Sequence, residues 1–329
     1  MLNGGAVLVK PPLTFFTGIP TLPKMATDRL LWIVFGALVA VMLALDLGVF
    51  HRRARAISFQ EAAGWSAVWI ALALGFAGLL AHYRGGESAL QYLTGYIIEE
   101  SLSVDNLFVF LMLFSFFAVP AEHQHSVLFW GILGAMGFRA IFIVAGVALL
   151  QQFHWVSYLF GAILVVSGVK MALTNNQKIQ PEKNLVLRLF RRLVPVTADY
   201  VGGRFLVRRD GRTWATPLLL VLVVVETMDL VFAVDSIPAV LAITQDKLIV
   251  YTSNVFAVMG LRAMYFALKG VMGLFHRLHH GLCAILVLIG LKMLLAGVHP
   301  IPTGLALGAV AGILAVAVAT SLIWPKKNH

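Results

Sequence analysis

Runs of about 20 apolar residues recur along this chain, parted by short polar stretches, and each is long enough to cross roughly 30 Å of hydrocarbon. The pattern predicts about nine spans, near 30–50, 59–81, 89–117, 126–150, 154–174, 215–243, 247–270, 281–297 and 301–324. Pro11, Pro12, Pro20 and Pro23 break the first 27 residues, so no helix is expected through them and no function is assigned to them. Composition agrees with the pattern: 60% of residues are hydrophobic and 12% charged, against about 25% charged in soluble domains. The expected fold is an all-α polytopic membrane protein.

Basic residues collect on alternate sides of these spans. Arg52, Arg53 and Arg55 follow the first span, and nine Lys/Arg lie between Lys178 and Arg212 against Glu182, Asp199 and Asp210. Lys326 and Lys327 end the chain, whereas the intervening loops HYRGGES, QQFHW, QDK and GVHP are nearly bare. Lys and Arg concentrate in cytoplasmic loops. The expected topology is therefore N-terminus outside and C-terminus cytoplasmic, in the inner (plasma) membrane. The net charge of +10 is mostly this bias, and no nucleic-acid partner is expected. The expected organisation is an extracytoplasmic tail over 1–29, two spans over 30–81, three over 89–174, a cytoplasmic basic loop over 175–213, three spans over 215–297, and a last span with its tail over 301–329. In the basic loop, LVLRLFRRLV (185–194) reads as a short interfacial helix on an anionic membrane face. FLVRRDGRTWA reads as a hairpin turning at Asp210-Gly211.

Seven acids lie inside the apolar stretches: Asp46, Glu99, Glu100, Asp105, Glu226, Asp229 and Asp235. Facing lipid, seven such charges would cost on the order of 20 kcal/mol, so they must meet one another, water or cations. Internal salt bridges are the plain alternative, but few in-membrane cations exist to neutralise them.

The acids also fall into a repeat. SVDNLF answers AVDSIP, AMGFRA (Arg139) answers VMGLRA (Arg262), and ILVVSGVKMAL (Lys170) answers ILVLIGLKMLL (Lys292), at offsets of 130, 123 and 122. Each copy holds three spans. An odd number makes the copies cross in opposite senses, the inverted-repeat plan of secondary transporters, whose sites lie near the midplane between the repeats. Residues seven apart share a helix face, so Glu99, Ser103 and Asn106 form one polar stripe and Glu226, Asp229, Ala233 and Ser236 the matching one. Asp105 and Asp235 fall about 120° away on a straight helix. They would join the site if the helix unwound near Pro238.

The candidate ligands are Asp46, Glu99, Asp105, Asn106, Glu226, Asp229, Asp235 and Ser236, with Glu100, Asn254, Arg139 and Arg262 secondary. An oxygen-only set favours a hard divalent ion: Mn²⁺, Mg²⁺ or Ca²⁺. Crowded carboxylates take up protons when empty and release them to a metal. The two arginines are expected to pair with acids outside the metal shell or with helix-end carbonyls; the functional alternative is a tethered cation that replaces the metal in one conformation. Lys170 and Lys292 are expected to snorkel. Cys283 is the only cysteine, which excludes an internal disulfide or CxxC site. No phosphate-cradling motif occurs, and neither an enzyme activity nor an organic cofactor is expected.

The strings IEESLSVDN, VETMDLVFAVDSIPA, TSNVFAVMGLRAMYF and GLKMLL together resemble the TerC family of integral membrane proteins, nearest its Alx-type members, over about residues 30–325. The resemblance implies manganese export and metal homeostasis, a link to tellurite resistance and alkaline pH, and kinship with the LysE-type transporters, built from three-helix inverted repeats. Its functional acids carry over onto Asp46, Glu99, Asp105, Glu226, Asp229 and Asp235. Glu100 departs from the family pattern, since many relatives have a basic residue there.

The expected function is a secondary transporter that exports a divalent metal ion, Mn²⁺ foremost, by exchange with protons. The alternative is a non-transporting membrane component of a metal or tellurite stress response, or a redox-modulating protein. An amino-acid exporter fits poorly, because such a substrate needs a positive partner for its carboxylate. For the topology, single cysteines introduced between Lys178 and Arg212 should react with an impermeant reagent only after intact cells are opened; labelling from outside would refute N-out, C-in.

Overall fold

The structure is a computed structural model that describes residues 24–50, 59–153, 155–173, 185–209, 211–269, 278–297 and 301–323. Arg52, Arg53, Arg55, Lys178, Asp210, Lys326 and Lys327 lie outside the described residues, as do the side chains of Asp46 and Asp105. Among the described residues, nine long helices match the nine expected spans: α1 (Lys24–Phe50), α2 (Phe59–Arg84), α3 (Gly86–Phe116), α4 (Ala121–Gln152), α5 (Trp155–Leu173), α7 (Pro217–Leu241), α8 (Lys247–Lys269), α9 (Leu278–Leu295) and α10 (Thr303–Ile323). Seven are long and apolar enough to cross a membrane. The exceptions are α3, which carries Glu87, Glu99, Glu100 and Asp105, and α9, whose described apolar stretch is the shorter His280–Leu295. The chain is an all-α polytopic membrane protein.

Local chemistry sets the helix ends. Gly85, at φ 89°, makes the tight connection between α2 and α3, a conformation that costs glycine little. Thr216 precedes Pro217, the first residue of α7, where a missing N–H costs nothing. Asp246 caps α8: its Oδ1 accepts the backbone N–H of Leu248 at 2.9 Å and of Ile249 at 3.3 Å.

The basic loop holds the expected helix and hairpin. Helix α6 (Leu185–Leu193) is followed by β1 (Leu206–Arg209) and β2 (Arg212–Ala215). The strands pair antiparallel with Arg209 opposite Arg212, and Gly211 turns at φ 74°. Tyr200 donates its hydroxyl to the Phe117 carbonyl at 2.8 Å, which lays this loop over the α3–α4 connection.

The packing repeats as the sequence does. Helix α3 packs on α8 as its counterpart α7 packs on α4, and α5 packs on its own counterpart α9 along the most extensive contact of the bundle. That last crossing is close because glycines line it. A Cβ at Gly290 would lie 2.7 Å from the Gly161 carbonyl, and one at Gly168 would lie 2.9 Å from the Cys283 carbonyl. Gly168 and Gly161 plus the offset of 122 give Gly290 and Cys283, so the two contacts are related by the pseudo-twofold. Helix α8 is the central helix, packed by α1, α2, α3 and α4, while α10 covers α9 and α3.

Substituting Gly290→Ala should destabilise the protein by about 1–3 kcal/mol through overpacking. Gly308→Ala and Gly312→Ala, where a Cβ meets open space, should be neutral or mildly stabilising. Reversible unfolding in detergent micelles distinguishes the two; equal effects would show that the α5–α9 crossing tolerates a methyl.

Candidate functional site

Four helices each send one side chain to a common buried point. Glu99 comes from the middle of α3, Asp229 from the middle of α7, Arg139 from α4 and Asn254 from α8. All four are buried. The Arg139 guanidinium grips Asp229 with two hydrogen bonds, Nε to Oδ2 at 3.2 Å and Nη2 to Oδ1 at 3.0 Å. Its Nη1 donates to Glu99 Oε1 and, at 2.8 Å, to Asn254 Oδ1. Asn254 Nδ2 closes the ring by donating to Glu99 Oε2 at 2.9 Å. The guanidinium suits this place because its planar fork matches two carboxylates at once and stays charged when buried.

The arginine outcome corrects an expectation. Arg139 does not pair with acids outside the proposed ligand set; it holds two members of it. The reason is position: α4 packs against α7 and α8, which brings its middle to the level of both acids. The salt-bridge alternative thus describes Glu99 and Asp229. The pair obeys the repeat, since Glu99 plus 130 gives Asp229. The cation breaks the symmetry: Arg262, the counterpart of Arg139, contacts His125 Nε2 at 3.0 Å instead.

Around the ring lie oxygen donors in want of partners. Ser103 Oγ and Glu226 Oε2 are buried without a hydrogen bond, and the buried Ser236 lies beside Glu99. Asn106 is buried on the same stripe of α3. The Glu226 carboxylate lies over Gly134, where any Cβ would overlap it. A void of about 10 Å³, walled by Gly131, Ala135 and Val225, adjoins Asp229; it is the size of a single water. Among the described residues, no group of three or more His, Cys, Asp or Glu gathers as a metal-holding set: the acids here form a pair, with arginine in the third place.

Other candidates stand apart. Helix α7 stays wound past Pro238, so Asp235 remains on another face. There its Oδ1 accepts a hydrogen bond from Ser167 Oγ on α5 at 2.7 Å, and Lys170 acts on it electrostatically. Glu100 faces Gly260 of α8, with Oε2 unpartnered. Asp46 sits in α1 and Asp105 in α3.

A further cluster was not foreseen. Arg84, at the end of α2, donates from Nε to Asp28 of α1 at 2.9 Å and from Nη1 to Asp246 at 2.7 Å. Only the clustering of charges at span ends hints at it in the sequence.

The family profile described as "Integral membrane protein TerC family" matches residues 84–329, more than half of the chain and all four residues of the ring. The chain belongs to the TerC family. It is 50% identical over 309 residues to an uncharacterized membrane protein of Myxococcus xanthus, covering 94% of this chain and 96% of that one. It is 48% identical over 294 residues to an Escherichia coli K12 protein named Alx and described as a proposed membrane-bound redox modulator, covering 87% and 92%. A Photorhabdus laumondii protein with the same name is 47% identical over 307 residues, covering 91% and 96%. No solved structure matches the chain. Within this TerC chain the profile begins at Arg84, so the ring belongs to the family's shared part, whereas Asp46 lies before it.

Removing one member of a buried ion pair strands the other charge and costs about 3–5 kcal/mol. Arg139→Met should therefore lower unfolding stability by that order. Adding Glu99→Gln and Asp229→Asn to it should recover most of the loss. Both are read from denaturation in micelles; a single variant as stable as wild type would show that the ring carries no net constraint.

Proposed function

We propose that this TerC-family chain is a secondary transporter that exports a divalent metal ion, Mn²⁺ foremost, in exchange for protons. The observation that supports the reading most is the carboxylate pair Glu99–Asp229, placed at mid-helix by the first helix of each inverted repeat. Inverted-repeat transporters bind their substrates at that junction. Here a tethered guanidinium bridges the pair, and further oxygens of Ser103, Ser236 and Glu226 lie on the same helix faces. Oxygen donors without thiolate or imidazole suit a hard divalent ion.

In this reading Arg139 is the resident cation of the metal-free state. A divalent ion entering the ring takes its place, and Arg139 swings away. Protons return on the acids. Moving one charge against 100 mV costs about 2.3 kcal/mol, so a divalent ion leaving an interior-negative cell costs about 4.6 kcal/mol per 100 mV. Two returning protons cancel that charge. Asp235, Asp105 and Asp46 serve as further acids along the path, and the protein lies in the inner membrane, N-terminus outside and C-terminus in. The relatives' redox description offers a second reading. Cys283 is the sole cysteine and is buried, so dithiol chemistry would need a second chain.

Proteoliposomes test the exporter directly. An imposed pH gradient should drive Mn²⁺, and Mn²⁺ addition should move protons the opposite way. Glu99→Gln, Asp229→Asn, Asp105→Asn and Asp235→Asn should each abolish transport, Glu226→Gln nearly so, while Glu100→Gln is mild. Wild-type flux through the Asp229→Asn protein would sink the site. Flux unchanged after the proton gradient is collapsed at clamped voltage would rule out proton coupling.

A further inference from the structure

The basic loop takes no part in the transport reading, yet it is built as one unit at the membrane boundary. Helix α6 runs into Pro195, and there the chain pairs with the hairpin: Ala215 N donates to the Pro195 carbonyl at 2.9 Å, and Thr197 N to the Ala215 carbonyl at 2.8 Å. Ala215 ends β2 two residues before α7 begins. Thr216 Oγ1 donates to the Arg204 carbonyl at 2.7 Å, fixing the hairpin's other strand to the same point. Helix and hairpin are therefore held at the level where a spanning helix enters the bilayer.

The sides of α6 are unequal. Leu187 is buried and Phe190 half-buried against the bundle, and α6 packs on α7. Next to that docked side, Val186, Leu189 and Leu193 are exposed, Leu193 at 72% and Leu189 at 57%. At 100° per residue these three fall within one narrow stripe, and Arg188, Arg191 and Arg192 fall on the opposite side. On the hairpin, Arg208, Arg209 and Arg212 are exposed as well, and Asp199 is the one acid among the described residues from 185 to 216. An apolar stripe held at interfacial depth, with a concentration of arginine beside it, matches acyl chains below and anionic headgroups at its own level.

We propose that α6 and the β1–β2 hairpin form a single binding surface for anionic phospholipid, with Val186, Leu189 and Leu193 inserted among acyl chains and the arginines holding headgroup phosphates. The surface is independent of the metal reading: it stands whether or not the chain moves a metal.

The test uses the purified full chain. In micelles, titration with short-chain phosphatidylglycerol should raise the melting temperature, and phosphatidylcholine should do so far less. In Arg188→Gln/Arg191→Gln/Arg192→Gln the preference should fall on the order of 100-fold, about fivefold per arginine. Glycerol phosphate, the soluble headgroup, should not displace the lipid. In nanodiscs containing phosphatidylglycerol, the Leu189→Trp protein, whose substitution leaves Leu187 and Phe190 in place, should be quenched by lipids brominated on the acyl chain. An undiminished preference in the triple variant, an unquenched tryptophan, displacement by glycerol phosphate, or equally tight binding to soluble polyglutamate would each overturn the proposal.

Discussion

One guanidinium sets the terms for the core. Two carboxylates buried between membrane helices are tolerable only with a cation and with their remaining lone pairs filled, because desolvation of an unpaired charge costs several kcal/mol. Arg139 supplies the cation to both acids, and Asn254 takes the oxygen of Glu99 left over. Satisfying that requirement forces α3, α4, α7 and α8 to meet at one level. Gly95 lets them do so, since a Cβ there would come within 3.0 Å of Ser253 and 3.1 Å of Val240. The charge network and the close packing are thus one constraint seen from two sides.

Much of this was legible in the chain itself. Apolar runs of membrane-spanning length fix nine helices whatever their tertiary partners, and the inverted repeat foretells that α3 and α7 meet; the crossing of α5 over α9 was not foreseen. The polar stripes were equally readable: Glu99, Ser103 and Asn106 face inward with Asp229 and Ser236, as their spacing requires. The partner of the acids was not. Arg139 and Arg262 occupy equivalent places in the repeat, and nothing local to either distinguishes them; the choice depends on which helix faces brought α4 and α8 together. Asp235 was ambiguous for a related reason. Pro238 removes one backbone hydrogen bond, and only the surrounding packing decides whether a helix unwinds there or continues. It continues, and Asp235 turns to Ser167.

The broken symmetry also bears on how the two repeats relate. The acid pair maps onto itself when the repeats are exchanged, but Asn254 maps onto Gly131, a position with no side chain to offer. An arginine arriving from α8 would therefore find the same two carboxylates and no amide beside them. The two halves are alike in architecture and unequal in the polar groups that each lends to the centre.

The Arg84 cluster gives the rim of the bundle a property of its own. Asp246 uses one oxygen to cap the first turn of α8 and the other to hold Arg84, which in turn holds Asp28 at the start of α1. One carboxylate thus links the winding of the central helix to the grip on the outermost one. Fraying at the start of α8 would loosen Arg84 from the second repeat while leaving its hold on Asp28, so α1 and α2 would keep each other and lean on their packing against α8.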